Sequence, residues 1–559
     1  MMDSDSEDSF ELSSDIGNAG DNGGTTPYSL TRSQALNLYV SHAFSTWNAR
    51  GYEFAAILFT AAAYPDTLVA AALRMIIVYF AMILFSSSVG HWVQHSSNRL
   101  RTLLLTIICN RGSVILGSFF WILVLSQEDL VGREASFVLP KNTVLKGFGF
   151  AVAVSFGIIE RLSSSGNLIS MERDWVVTVA APAGRPYDLT HLNAVMRRID
   201  LVCKLISPIL IAAVISVLGS IRLGVVFTGL TSLVCIPIEV FSAKRVWNSS
   251  PLLQAPRAAP PSQPAAIQTV SRSWLAKTRQ YFHGFETYFS TTVWVPSVAL
   301  ALLHFNMLTW RATFITYLIN VGYSLNTITV ARGIGSLFEI TSTVITPRGI
   351  GYMGKAHHHA NSSSVDEDDE AGVGLIDGDH RGDRHIETLI GLQRFGLWGM
   401  SWQLINTFPV VLALWAISTQ RNETEGLSSS MFTRRVISEQ ASPNVGWSII
   451  LFSFLAFSRL GVWVFDLTTQ QLTQTLVSQH QRSSFAGTEN SVVNIFELLG
   501  AGAAIAFPRT EQYRWLALAS LVTVIVSWIM YALWVRQQRG HLVHWEKLAR
   551  GFCSNGRNW

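Results

Sequence analysis

The sequence predicts an all-α, polytopic membrane protein with about twelve transmembrane helices. Of its 559 residues, 49% are hydrophobic and only 14% are charged, whereas about a quarter of the residues of a soluble domain are charged. Apolar runs of more than about 18 residues, each long enough to cross roughly 30 Å of hydrocarbon as a helix, recur along almost the whole chain. Lipid offers the backbone no hydrogen-bond partners, and the runs show no period-two alternation. The spans are therefore predicted to be helices and not barrel strands.

The first half of the chain, residues 34–247, contains six of these runs. Residues 1–33 before it begin with an acidic stretch rich in Ser and Gly, which predicts a disordered cytoplasmic tail and not a cleavable signal peptide. Glycine, proline and charged residues separate the runs. The six predicted spans are Leu36–Ala63, Asp66–Gly90, Leu100–Leu125, Val144–Ile169, Leu189–Leu218 and Leu223–Trp247.

A linker at residues 248–290 separates the two halves. Its first part, from Asn248 to Ser271, is rich in Pro, Ala and Ser, and the stretch SWLAKTRQYFHGF that follows is basic and amphipathic. A helix of that kind lies on a membrane surface. We therefore predict a cytoplasmic linker that ends in a surface helix.

The second half, residues 291–536, contains six further runs and precedes a cytoplasmic tail at residues 537–559. Its predicted spans are Val293–Ile319, Asn326–Ile345, Thr388–Ile417, Val445–Thr473, Ser484–Phe507 and Tyr513–Arg536. Two long connections interrupt this half, at residues 350–386 and 419–443. The first carries HHH and then DEDDE. Such tracts bind zinc-like ions, but a flexible solvated loop is the favoured interpretation.

Six spans on each side of a long linker is the outline of major-facilitator-type carriers, in which two helical bundles rock around a site near the membrane midplane. Lys and Arg collect on one side of the spans, which the positive-inside rule makes cytoplasmic, together with both termini. The residues that carry this bias are Arg99, Arg101, Lys244, Arg245, Lys277, Arg279, Arg536, Arg539, Lys547 and Arg550. The connection at 419–443 then faces outside, where Asn422 is a glycosylation candidate.

Several other functions are disfavoured by the sequence. Nucleic acid is not a predicted partner, because the basic residues are those of membrane-protein loops. No phosphate-binding loop of the GxxxxGK[ST] type occurs, and GIGSLFEI lacks the neighbouring strand of a dinucleotide site. The chain is therefore not predicted to be an enzyme, to use ATP or to hold a cofactor. We expect a functional monomer in the lipid bilayer of the plasma membrane or of a vacuole or other organelle.

Three blocks of sequence carry a family resemblance. They are LYVSHAFSTWNARGYEF, then ISMERDWVVTVA with LNAVMRRIDLVCKLISPIL, and finally SRLGVWVFDLTTQQL with AGTENSVVNIFELL. In order and spacing they resemble the first span, the fourth-to-fifth span region and the tenth and eleventh spans of ferroportins, the iron exporters of solute carrier family 40. The resemblance implies a divergent, non-animal member that exports divalent iron, or a similar transition-metal ion, as its substrate.

The same resemblance indicates where metal ligands would lie, and there this sequence departs from the family. The family's Asp and His of the first span align with Ala49 and Glu53, the adjacent Asp and Cys of the unwound seventh span align with Arg311 and Ala312, and the His of the eleventh span aligns with Gly500. Neither metal motif carries over. The cysteine through which animal members bind their peptide hormone is also absent, so control by such a hormone is not expected.

The remaining candidate ligands are polar groups inside the predicted spans. An ionisable group there costs about 2.5 to 3.5 kcal/mol on insertion scales, so it should face a cavity or a partner. The candidates for metal or substrate binding are Asn48, Glu53, Asp200, His304, Glu489, Asn490 and Glu497. Glu53 offers a hard oxygen ligand that suits divalent iron or manganese, although a salt bridge to Arg50 or another cation is slightly favoured. For His304, a packing role competes with that of a nitrogen ligand.

A second group of charges is predicted to form gating ion pairs: Arg50, Arg173, Asp174, Arg197, Arg198, Arg459 and Asp466. Arg197 and Asp200 share one helix face at i, i+3, where a gating pair is favoured over a ligand role for Asp200. Two helical turns separate Arg459 from Asp466, which favours pairing across helices. Arg311 would repel a cation unless an acid such as Glu489 neutralised it. Alternatively, Arg311 replaces a second metal or recognises an anionic or chelated solute.

The sequence thus predicts a secondary transporter that exports divalent iron, or a similar ion, from the cytoplasm by alternating access. Two alternatives remain open at this point. One is a carrier of an organic cation or a metal chelate on the same fold. The other is a non-transporting membrane receptor or scaffold.

Overall fold

The computed structural model describes residues 30–64, 69–133, 140–255, 274–355, 379–427, 444–507 and 509–539. Several sequence features lie outside these residues: the acidic tail, most of the Pro-rich linker, the HHH and DEDDE tracts, and the C-terminal tail from residue 540 onward. The side chain of the glycosylation candidate Asn422 also lies outside the described part.

The first half consists of helices. They are α1 Arg32–Ala63, α2 Val69–His95, α3 Arg99–Arg133, α4 Pro140–Leu168, a π-helical segment Ile169–Trp175, α5 Val176–Val179, α6 Leu189–Leu218, α7 Ile221–Ser249 and the short α8 Pro251–Gln254. Local sequence sets several of these ends. Thr31 and Gln34 form a capping box at the start of α1, and the side chain of Asp188 caps α6. Gly219 ends α6 in the left-handed region, with φ 61°.

The second half is also helical. Its elements are α9 Trp274–Ser290, α10 Trp294–Leu302, α11 Ala312–Val321, α12 Leu325–Lys355, α13 Asp379–Leu427, α14 Val445–Leu476, α15 Arg482–Ala506 and α16 Tyr513–Arg539. The basic amphipathic stretch forms α9, and its segment Thr278–Ser290 is bent by 104° from Trp294–Phe305. The hydroxyl of Tyr281 donates to the carbonyl of Ile83 at 3.1 Å, which holds α9 against α2.

Eight of the described helices are long and apolar enough to cross a membrane, or nine if the bent pair counts as one span. The fold class, an all-α polytopic membrane protein, is confirmed. The number of twelve spans stays a prediction. Helices α1, α4 and α15 occur where spans are predicted but are not among the eight. Each of them contributes polar or charged side chains to the interior of the molecule, which lowers its hydropathy.

Each half packs around hydrophobic clusters of its own. Two clusters, around Trp175 and around Trp121, lie within the first half, and two more, around Phe465 and around Phe314, lie within the second. A small group that includes Val93 from α2 and Ala486 from α15 crosses between the halves. Because most apolar burial is internal to each half, the halves can shift relative to each other without opening either core.

One end of the molecule, here named the linker end, is where α1 begins and α7 ends. The amide of Gln34 donates to the carbonyl of Ser249 at 2.5 Å and joins these two helices. Arg99 at the start of α3 forms an ion pair with Asp174 at 2.9 Å and donates to the carbonyl of Leu253 at 3.1 Å. This end is the one that the sequence predicts to be cytoplasmic.

Two irregular segments differ from the straight predicted spans. The fourth span widens into the π-helical segment Ile169–Trp175, where the backbone N–H of Val176 bonds to the carbonyl of Met171. The wider turn sends Arg173 toward the second half and Asp174 toward α3. The seventh span is broken between α10 and α11. There the N–H of Met307 donates to the hydroxyl of Ser520 and its carbonyl accepts from Tyr513, so α16 satisfies the freed backbone groups.

Candidate substrate cavity between the two halves

A partly enclosed cavity of about 280 Å³ lies between the two halves. Both halves line it with polar and charged side chains. Those of the first half are His42, Ser45, Thr46, Arg50, Arg161, Ser164, Ser165, Asn167, Glu172, Arg173, Arg197 and Asp200, and those of the second are Ser297, His304, Asp466, Gln470, Glu489 and Asn490. The lining therefore contains four arginines and four carboxylates.

Two arginines of the first half, Arg50 and Arg197, engage two of the carboxylates. A guanidinium nitrogen of Arg50 lies 2.9 Å from Asp200 and donates to both of its oxygens. Arg197 lies 3.6 Å from Asp200 and 2.8 Å from Asp466 on α14. Arg197 thus links an acid of its own half to an acid of the other. The contact between Arg197 and Asp466 would break if the halves separated here, as expected of a gating ion pair.

The other two lining carboxylates, Glu172 and Glu489, also make contacts across the two halves. Arg173 of the π-helical segment pairs with Glu489 of α15 at 2.7 Å, and its guanidinium also bonds to the hydroxyl of Thr473. Ser297 donates a second hydrogen bond to Glu489 at 2.7 Å. Glu172 accepts from the amide of Gln470 at 2.9 Å. Each lining carboxylate therefore already has a partner while the linker end is closed.

Amide side chains extend this contact toward the linker end. Asn193 and Gln474 bond at 2.5 Å, and Gln471 donates to the hydroxyl of Thr190 at 2.6 Å. All four lie on α6 or α14, next to the arginine pairs. The joint between the halves is thus mostly polar, and such contacts can break and re-form at little cost because water satisfies the separated groups.

The two halves approach closely at two glycines, Gly90 and Gly487. A Cβ added to Gly487 would lie 2.6 Å from the carbonyl oxygen of Ser86 and 2.7 Å from the Cα of Gly90. Beside this contact, the hydroxyls of Ser87 and Thr488 bond at 3.0 Å. Helices α2 and α15 therefore meet backbone to backbone, and only glycine fits at the crossing.

Three of the candidate ligands, Asn48, Glu53 and Glu497, do not line the cavity. Asn48 is buried inside the first bundle, where it donates to Asn110 at 3.3 Å and accepts from Ser232 at 2.6 Å. The prediction of a substrate contact for Asn48 is therefore not supported, because its amide is turned toward α3 and α7. Glu53 pairs with Arg50 at 3.4 Å and with Arg161 at 3.6 Å, as the salt-bridge interpretation expects.

Arg311 is neutralised by an acid other than Glu489, which the sequence analysis named as an example. Its guanidinium lies 2.9 Å from Glu497, whereas Glu489 pairs with Arg173. The same oxygen of Glu497 also lies 3.1 Å from Nδ1 of His304. The break in the seventh span causes this arrangement, because it turns the start of α11 toward the second half of α15.

The remaining candidates form further contacts between helices. Asn490 donates to the hydroxyl of Ser165 at 2.7 Å across the two halves. Arg198 donates to Thr343 at 3.1 Å, also across the halves. Arg459 pairs with Glu339 at 2.9 Å inside the second half. Asp174 pairs with Arg99 of α3 at 2.9 Å inside the first half.

Among the described residues, no group of three or more His, Cys, Asp or Glu side chains is placed to hold a metal ion. At Gly500 the space is filled, because an added Cβ would lie 2.8 Å from the methyl of Met307.

Sequence reasoning missed several residues of the cavity and of the buried contacts around it. Arg161 lies within a predicted span, so the cost of an intramembrane charge was a signal that could have selected it. Gln470 and Gln474 are part of the polar run TTQQLTQ in an otherwise apolar span. Their i, i+4 spacing indicates a polar face toward another helix. For the buried pair Arg111 and Glu239, the sequence offers no signal beyond their charge.

Comparison with known proteins places these features in context. The family model described as Ferroportin1 (FPN1) matches residues 32–356 and 384–524. "Solute carrier family 40 member 2" of Arabidopsis thaliana is 24% identical over 93% of this chain and 93% of its own length. "Solute carrier family 40 member 1" of Oryza sativa subsp. japonica is 26% identical over 91% and 93%, respectively.

Solved structures share the fold. A bacterial homologue of the iron transporter ferroportin, crystallised in an outward-facing state with soaked iron, superimposes with a TM-score of 0.64 at 18% identity, and the match covers 90% of this chain and 99% of that one. The proton:xylose symporter XylE of the major facilitator superfamily superimposes with a TM-score of 0.52 at 11% identity, over 91% of this chain and 95% of that one. The two-bundle, major-facilitator-like architecture predicted from the sequence is thereby confirmed.

Proposed function

Because this chain belongs to the ferroportin family, we propose that it is a secondary transporter that exports divalent iron, or a similar transition-metal ion, from the cytoplasm by alternating access. The observation that carries the proposal is the joint between the halves. Two bodies with separate apolar cores meet through polar contacts around a central cavity. Such a joint allows the two bundles to rock around a site that stays near the midplane.

The ion pairs suggest how an ion is taken up and released. Opening of the linker end moves α14 and α15 away from α6 and the π-helical segment. That motion separates Asp466 from Arg197 and Glu489 from Arg173. The freed carboxylate oxygens suit a hard divalent ion. When the end closes again, the guanidinium groups return to the acids and displace the ion toward the opposite side.

The described conformation corresponds to one end of this cycle. The linker end is closed by the contacts of Arg173, Arg197, Asn193 and Gly487. With that end in the cytoplasm, the transporter faces outward. We further propose that residues 34–247 and 291–536 act as the two bundles, that both termini are cytoplasmic, and that a monomer suffices, in the plasma membrane or an organellar one.

The proposal predicts that Glu489→Ala lowers iron transport. The change removes a lining carboxylate, which weakens binding of the ion. It also leaves Arg173 without its acid, which destabilises the closed linker end. We expect the rate of radiolabelled iron(II) transport by the full chain in proteoliposomes to fall roughly tenfold or more, since a hydrogen bond to a charged group contributes about 1.5–3 kcal/mol. Glu53→Ala is expected to have a smaller effect, because Glu53 does not line the cavity.

Glu511→Ala is the matched control, because Glu511 is an exposed carboxylate on the turn before α16, away from the cavity. It should transport iron at the rate of the intact chain. If the intact chain moves no iron(II) above empty liposomes, whether iron(II) is offered alone or with citrate, the proposed function is wrong. If Glu489→Ala and Glu511→Ala behave alike, the role given to Glu489 is wrong.

A further inference from the structure

The cavity has too few free acids for a bare metal ion. In the described residues no set of three metal-binding side chains occurs, and Asp200, Asp466, Glu172 and Glu489 are all engaged by arginine or amide groups. Divalent transition-metal and magnesium-like ions need several oxygen or nitrogen ligands. In the proposed cycle, opening of the linker end frees Asp466 and Glu489 from their arginines. The remaining ligands of the ion must come from elsewhere.

One lining cation, in contrast, has spare donors. Within the described residues, Arg161 makes an ion pair only with Glu53, at 3.6 Å, and donates no hydrogen bond to a protein group. Glu53 is itself shared with Arg50. A third of the Arg161 side chain is exposed, and it lines the cavity. A guanidinium presents five N–H donors in a planar fork that matches a carboxylate in two-point contact.

The surroundings of Arg161 favour an oxygen-rich organic ligand. Ser164 and Ser165 follow it by one turn on the same face of α4 and line the same cavity. His304 faces them from the second half. The cavity volume of about 280 Å³ lies near the lower end of the range for small-molecule sites, about 300 Å³. A single dehydrated ion needs far less space than this.

We infer that the metal crosses this protein together with a small polycarboxylate chelator, one of whose free carboxylates binds Arg161. The inference rests on the proposed function and specifies the form of its substrate. The chelator supplies the ligands that the described part of the cavity lacks. Arg161 supplies the charge that selects an anionic complex over the hydrated cation.

The test uses purified full-length protein in proteoliposomes with two labels. Radioactive iron(II), kept reduced by ascorbate, is offered alone or with an excess of [¹⁴C]citrate as the probe chelator. We expect iron and citrate to enter in a fixed ratio, and iron to enter faster with citrate than without it. Arg161→Gln should reduce citrate-linked uptake roughly tenfold or more, the effect of losing a charge-assisted contact. Arg161→Lys keeps the positive charge but not the planar pair of N–H donors. This variant should therefore retain part of the citrate-linked uptake.

Arg222→Gln is the matched control, because Arg222 belongs to the same bundle and does not line the cavity; its guanidinium donates to the carbonyl of Leu125. Thermal melts of all variants identify any that fail to fold. Iron that enters without citrate, at an undiminished rate, overturns this inference and leaves the proposed function standing. Citrate that enters independently of iron overturns the inference too. If neither label enters, the proposed function itself is wrong.

Discussion

Arg111→Met is expected to destabilise the first bundle by roughly 3–5 kcal/mol, the usual cost of removing one partner of a buried ion pair. Arg111 and Glu239 pair between α3 and α7, with 1% and 0% of their side chains exposed. Arg111 also donates to the side-chain oxygen of Asn110 at 2.9 Å and to the carbonyl of Phe44 at 3.1 Å. Its removal would leave the carboxylate of Glu239 buried and unpaired.

The double variant Arg111→Met with Glu239→Met separates charge loss from packing loss. Replacing both members of a buried pair by apolar groups of similar size is often close to neutral. We therefore expect most of the stability to return, so that the two single effects are strongly non-additive. Thermal unfolding of the purified chain in detergent measures all three variants. If the double variant is as unstable as the sum of the singles, the ion pair is not the main role of Arg111.

Gly487→Ala is expected to open the linker end. The added Cβ would lie 2.6 Å from the carbonyl oxygen of Ser86. The Cβ is bonded directly to the backbone of α15 and the oxygen is part of the backbone of α2, so neither atom can move away alone. The two helices must therefore move apart. Overpacking of this kind costs about 1–3 kcal/mol. The cost falls on the closed state only, so the ratio of closed to open molecules should fall roughly 5- to 150-fold. Iron transport should drop accordingly, because closure is one step of the cycle.

Thiol labelling measures this shift directly. A cysteine is introduced at Ser87, which is buried at the crossing, in a chain whose four native cysteines are replaced. A membrane-impermeant reagent added on the linker side should label it faster in the presence of Gly487→Ala. Gly502→Ala on the same helix is the matched control, since a Cβ there meets nothing within 4 Å. Equal labelling rates for these two variants would contradict a closed glycine crossing.

The division into two bundles could be predicted from the sequence because lipid imposes a strong, local constraint. An apolar run of sufficient length must form a helix, and the resemblance blocks supply the family and hence the architecture. The charges inside the spans could be selected for the same reason, since each is costly unless it has a partner. Asp200, Arg197, Asp466, Glu489 and others of this kind indeed meet at the joint between the halves.

Which charge meets which could not be predicted. The pairing of Arg311 with Glu497 depends on the break after α10, and that of Arg173 with Glu489 depends on the π-helical turn. A single extra residue in a turn rotates the following side chains by about 100° in a helix of 3.6 residues per turn. Spacing along the sequence therefore identifies a helix face only where the helix is regular.

By itself, then, the sequence determined that this protein is a polytopic α-helical membrane protein of two bundles with buried charges, because hydropathy and helix periodicity act over a few residues at a time. Only the tertiary structure decided that Asn48 faces the interior of one bundle, that arginines occupy the acids of the cavity, and that Gly487 closes the linker end. These facts depend on contacts between segments hundreds of residues apart, whose geometry is fixed when helices pack and not by the residues of any one helix.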